Sequence, residues 1–166
     1  MTVMNEILSF ESVGIKWNVL DKLENGYFCI ADSIEDRKFG KNNNWKESTI
    51  RKELEELVEK IEKELGIVLP EFERNLLSLD GQTEYGTCVD KVSLLTVDEY
   101  RKYRSKLPNT GDWWWLITPD STESNDDSVW IAVVSPRGYF NGYCCNYRGG
   151  VRPVCIFPSS IFESEE

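Results

Sequence analysis

A chain of 166 residues has room for one domain with a real core, and its 40% hydrophobic and 12% aromatic content excludes a disordered chain. Nineteen basic against 29 acidic residues leave a net charge of −10, which disfavours direct binding to nucleic-acid phosphates and suits either a basic partner or plain solubility. With no histidine, every imidazole-based triad or zinc site within the chain is excluded.

The first predicted elements form a hairpin. The stretch 14-GIKWNVL-20 alternates Ile15, Trp17 and Val19 with Lys16 and Asn18, the pattern of a half-buried strand, and 27-YFCIA-31 reads as its returning partner. The intervening 21-DKLENG-26 predicts a loop longer than the tightest turn. Residues 36-DRKFGKNNNW-45 read as polar loop. The clearest helix is 48-STIRKELEELVEKIEKEL-65, with Ile50, Leu54, Leu57, Val58, Ile61 and Leu65 on one stripe. Ser48 is its expected N-cap and Gly66 its expected left-handed stop. Glu56–Lys60 and Glu59–Lys63 have the favourable spacing for ion pairs, and the charged side of the helix reads as a solvated face.

The segment 67-IVLPEFERNLLSL-79, broken by Pro70, reads as a short helix or an extended cover for the core. A strand is predicted over 91–96, followed by a short helix over 97–105 opened by a Thr96/Glu99 capping box. The remainder is strand-rich, with predicted strands at 113–118, 129–134, 138–143 and 151–157. An acidic loop, 119-PDSTESNDDS-128, lies between the first two, and the tail 163-ESEE-166 is expected to fray. The N-terminal 1-MTVMNEILSFESVG-14 lacks the basic-then-apolar pattern of a secretory signal, and no apolar run reaches the ~20 residues of a membrane span. Together with five cysteines lacking CxxC spacing, read as reduced thiols, this makes the cytoplasm the expected location. One α+β domain over 1–166, with its core at about 10–157, is the economical organisation.

The run 113-WWW-115 places Trp113 and Trp115 on one side of a strand and Trp114 with Leu116 on the other. Exposing three indoles would create a larger apolar patch than soluble monomers carry, so the triplet is read as mostly core, with one indole reaching a surface groove.

These residues carry a resemblance. The pattern 114-WWLITP-119 followed by 150-GVRPVCIF-157 resembles the Trp-Trp-Leu-Arg-Ser-Pro and Gly-Val-Arg-Pro-Ala-Leu signatures of a bacterial and phage family, a domain of unknown function related to the C-type-lectin-like and formylglycine-generating-enzyme folds. Three earlier segments agree in order: 15-IKWNVL-20, 45-WKESTIR-51 and 90-DKVSLLTVDEY-100. Ile117 stands where the family usually has arginine, and the helix after Ser48 is longer and more charged than the family's. The resemblance implies small twisted antiparallel sheets, two main helices and a long irregular loop region that carries ligand-facing variation.

Fold alone does not transmit function, so the local chemistry decides. The sugar-binding lectin motifs Glu-Pro-Asn and Trp-Asn-Asp are absent, and Glu123, Asn125, Asp126 and Asp127 read as a solvated acidic loop. Adjacent Cys144 and Cys145 do not reproduce the spaced copper-binding pair of the formylglycine-generating relatives. No metal, cofactor or catalytic residue is therefore assigned. The segment 137-RGYFNGYCCNYRGGVR-152 interleaves Tyr and Asn with Gly, a composition favoured in binding surfaces. Its plain alternative is a glycine-rich turn whose aromatics complete the core. Tyr139, Phe140, Asn141, Tyr143, Asn146 and Tyr147, with Asp126 and Asp127, are the expected contact residues, on loops 119–128 and 138–149. Arg152 is expected in a structural ion pair or backbone hydrogen bonds. The expected function is non-enzymatic binding of a macromolecule, most simply a protein, in a phage or prophage setting. The alternatives are an acidic inhibitor of a host nucleic-acid-binding protein, in the manner of an anti-defence protein, and, third, a metal- or thiol-dependent enzyme.

Overall fold

The computed structural model describes residues 9–32 and 34–163, and among these the fold is mixed α+β. Residues 1–8, where no export signal is expected, and Ser164 to Glu166 of the tail expected to fray lie outside them. The predicted hairpin is present but tighter than expected: β2 (Ile15–Leu23) and β3 (Gly26–Ala31) are joined by Glu24 and Asn25 alone. The register shifts between Val19 and Asp21, and this irregularity absorbs the residues that the sequence pattern assigns to a loop. β1 (Ser9–Ser12) precedes them and pairs with β2 through the two-residue turn Val13–Gly14.

α1 (Thr49–Leu65) begins and ends where expected. The Ser48 side chain accepts from the Arg51 amide at 3.0 Å, and Gly66 adopts φ 66°. Ile50, Leu54 and Ile61 are buried on its stripe. Neither Glu56–Lys60 nor Glu59–Lys63 is among the ion pairs of the described residues; the helix uses its charges across the fold instead, as in Arg51–Asp90 at 2.8 Å and Glu62–Lys91 at 2.9 Å. The segment after Pro70 is extended: β5 (Phe72–Asn75) pairs with β6 (Thr87–Asp90). The strand predicted at 91–96 shrinks to β7 (Val92–Ser93). The Thr96/Glu99 capping box opens α2 (Val97–Lys102), and Glu99 also closes on the buried guanidinium of Arg74 at 2.6 and 2.9 Å.

Two five-stranded sheets carry the core. The first has the order β1-β2-β3-β12-β7, with β12 at Val154–Phe157. The second has the order β10-β9-β8-β11-β4, comprising β4 (Asp36–Lys38), β8 (Trp114–Pro119), β9 (Trp130–Val134), β10 (Phe140–Cys144) and β11 (Arg148–Gly150). It departs from the expected all-antiparallel pattern, because β11 runs parallel to β8 through Gly150 and Trp114. The short helix α3 (Ser160–Glu163) follows β12.

β8 divides the core as its alternation requires. Trp115 and Ile117 join the cluster beneath α1, whereas Trp114 and Leu116 join the one containing Val97 and Tyr100 of α2. Trp114 and Trp115 are buried and Trp113 half-buried, so the triplet is chiefly interior with one indole at the surface. Each buried indole contributes at most about 4–6 kcal/mol by area. The Trp115 indole donates Nε1–H to the Arg37 carbonyl at 2.8 Å and lies across β11, where a Cβ on Gly149 would meet its ring at 3.0 Å. Glycine at 149 therefore belongs to the tryptophan site.

Candidate functional site

A chain of aromatic contacts leads from the core outward. Trp113 stacks on Tyr143 of β10, with centroids 5.1 Å apart and planes at 26°. Tyr143 meets Trp115 edge-on at 5.7 Å and Tyr147 at 5.3 Å, and Tyr147 meets Trp130 at 6.4 Å. Offset and edge-to-face pairs of this kind contribute roughly 0.5–1.5 kcal/mol each beyond burial. The outer two members are exposed, Tyr147 at 49% and Trp130 at 41%. The inner two are half-buried and hold them in place. Burial, and next the neighbouring Tyr147, push the Tyr143 phenol above its usual pKa.

The structure brings some of the predicted contact residues together and separates others. Tyr143 and Tyr147 share the aromatic surface. Phe140 does not: it packs with the second cluster, its ring 5.3 Å from that of Tyr100. Tyr139 is 58% exposed in the turn before β10, and Asn141 is exposed with its side-chain oxygen accepting from the Gly142 amide at 2.8 Å. Asn146 is exposed in the β10–β11 turn. Asp126 is exposed at φ 62°, ending the short 3-10 turn at Glu123–Asn125. Asp127 is a positioning residue instead of an open contact, because its carboxylate accepts from the Val129 and Trp130 amides at 3.1 and 3.0 Å. Much of 138–149 is strand, β10 and the start of β11, and only its turns are loop. Trp130 was missed, because it sits in a run that reads as an ordinary strand and its 41% exposure is visible only in the structure.

The acidic loop 119–128 is built around Asn43, a fully buried residue from the stretch predicted as polar loop. Its side-chain amide lies 3.1, 3.2 and 2.9 Å from the carbonyls of Ser121, Asp127 and Trp130. Its side-chain oxygen accepts from the Tyr85 hydroxyl at 2.7 Å, and that hydroxyl accepts in turn from the Glu123 amide at 3.1 Å. Glu84 accepts from the Ser124 amide at 2.9 Å. A loop that looks solvated in the sequence is thereby fixed from below.

All five cysteines are free thiols, and burial raises the pKa of Cys88, Cys145 and Cys155 and pushes Cys29 up to about 12. Among the described residues no group of three His, Cys, Asp or Glu is arranged to hold a metal ion. Arg152 is structural as expected: it is 4% exposed, donates Nε–H to the Ala31 carbonyl at 3.1 Å and lies 4.7 Å over the Trp114 ring. Its remaining ion-pair partner, Asp32, is distant at 3.9 Å. No helix among the described residues is long and apolar enough to cross a membrane. No family model, curated protein or solved structure matches the chain.

Proposed function

We propose that this chain is a non-enzymatic protein-binding module of C-type-lectin-like fold that captures its partner on the Trp113–Tyr143–Tyr147–Trp130 surface. The observation that carries the reading is the pair of exposed rings, Tyr147 and Trp130, seated on a half-buried aromatic base. Rigid aromatic area binds with little loss of rotamer entropy, and side chains held before contact lose less on association. Asp127 and Asn43 supply that order from beneath. The C-type-lectin-like reading is supported by a compact sheet core that carries irregular turns, together with the Trp-Trp-Leu and Gly-Val-Arg-Pro segments. A phage or prophage setting and a cytoplasmic or virion location belong to the same proposal. Thiols raised in pKa weigh against a cysteine nucleophile.

A second reading, an acidic inhibitor seated in the basic groove of a host nucleic-acid-binding protein, is favoured by the net charge of −10 and the exposed Glu53, Glu55, Glu56 and Glu59 of α1. Salt separates the two. Pull-down from host lysate with wild type and a Trp130→Ala/Tyr147→Ala variant should show a common partner lost at least tenfold in the variant and retained by wild type in high salt. Equal capture by both proteins removes the aromatic surface from the function; capture abolished by salt alone selects the acidic reading.

A further inference from the structure

A trough of about 710 Å³ lies elsewhere, beside α1. One wall is α1 from Thr49 to Lys60, about 18 Å of helix. The rest of the lining comes from Val13 and Ile15 beside the β1–β2 turn, from Ile34, Glu35 and Arg37 at the start of β4, and from Val151. Ile15, Ile34, Ile50, Leu54, Leu57 and Val151 make its apolar lining, and Ile50, Leu54 and Leu57 follow the spacing of a helix-packing seam. Both ends are tied. Arg37 bridges to Glu53 at 2.9 Å, and Glu64 accepts from the Ser12 hydroxyl at 2.7 Å and the Val13 amide at 2.8 Å.

The rim is acidic. Five glutamates line the trough against three cations. Arg37 is held by Glu35 and Glu53, and exposed Glu55, Glu56 and Glu59 outnumber the other two cations of the lining, Lys52 and Lys60. Val13 on the lip carries φ 50°, a left-handed conformation that disfavours a β-branched residue and that Asn or Gly adopts readily. Its side chain packs against the core beneath α1 and adds to the apolar lip of the trough.

We propose that this trough docks a basic amphipathic helix of a partner protein, its apolar stripe on the Leu54–Leu57 seam and its lysines or arginines against Glu55, Glu56 and Glu59. The length of the wall matches about three helical turns, and the excess of carboxylates over cations favours a basic partner. This surface is independent of the aromatic one.

The test is fluorescence anisotropy of a labelled Leu/Lys amphipathic helical peptide, about as long as the α1 wall, titrated with the full chain. Binding should weaken with salt and fall about tenfold in Glu56→Lys/Glu59→Lys, and comparably in Ile34→Ser. Both variants should melt close to wild type by circular dichroism, so that lost binding is not lost folding. Trp130→Ala/Tyr147→Ala should bind the peptide as wild type does, so failure here and failure of the aromatic surface remain distinct. No binding, equal binding of a Leu/Glu peptide, or binding indifferent to the trough variants overturns the proposal. A concentration-dependent dimer abolished by Ile34→Ser overturns it in favour of a second copy of the chain.

Discussion

The carboxylate of Asp120 lies against Gly142 of β10, with Oδ1 buried and lacking a hydrogen-bond partner. Burial raises its pKa above the usual aspartate value, and Asp127 and Asp80 add to the shift. A raised folded-state pKa means that the folded chain holds the proton more tightly than the unfolded one. The associated stability is present below about pH 4, the unfolded value, and is lost as pH rises through the folded value. Asp120→Asn should therefore stabilise the protein by about 1 kcal/mol at neutral pH, with the advantage shrinking in acid. Thermal melts of both proteins from neutral pH downward would show it; a gap that stays constant with pH would mean the charge is not the cause. Glu62, Glu64, Asp80 and Glu84 work in the opposite direction. Hydrogen bonds hold their pKa values down, so their contributions are present above the ordinary carboxylate range and lost as pH falls through the depressed values.

Between elements, the decisive connection is the Asn43 amide, which joins the approach to α1 to both ends of the 119–128 loop. Asn43→Ala leaves several buried carbonyls and the Tyr85 hydroxyl short of a partner and should cost about 2–3 kcal/mol. Hydrogen exchange should localise the damage to residues 121–130, with the indole of Trp130 losing its fixed position. Exchange that accelerates uniformly over the chain would contradict that assignment. This connection was not legible in the sequence, because 42-NNN-44 reads as solvated loop and its partners lie far along the chain. α1 was legible because stripe, Ser48 cap and Gly66 stop all agree. The capping box at Thr96 was legible for the same reason, and β8 because its indoles alternate. The short strands β4, β6 and β11 were not: three or four residues give no measurable alternation, and their pairing comes from distant partners. For the site, the Tyr143–Tyr147 pair was anticipated, and three-residue spacing already puts Phe140 on the face of β10 opposite Tyr143; which face meets which cluster depended on pairing with β9.

At the scale of the whole molecule, the second sheet sits between two apolar clusters, one reached from α1 and the other from α2. β8 supplies indoles to both, so neither cluster can loosen without disturbing the other. We expect one cooperative unfolding transition, with tryptophan fluorescence and far-ultraviolet circular dichroism superimposing in urea; separated midpoints would divide the chain into independent units.

The position of β12 sets the order of assembly. This strand belongs to the C-terminal part of the chain yet lies inside the first sheet, with β3 on one side and β7 on the other. During synthesis β1, β2 and β3 leave the ribosome with the β3 edge unpaired and have to wait for Val154–Phe157. Closure of that gap is a long-range event, which slows folding and leaves the nascent chain open to mispairing until it occurs.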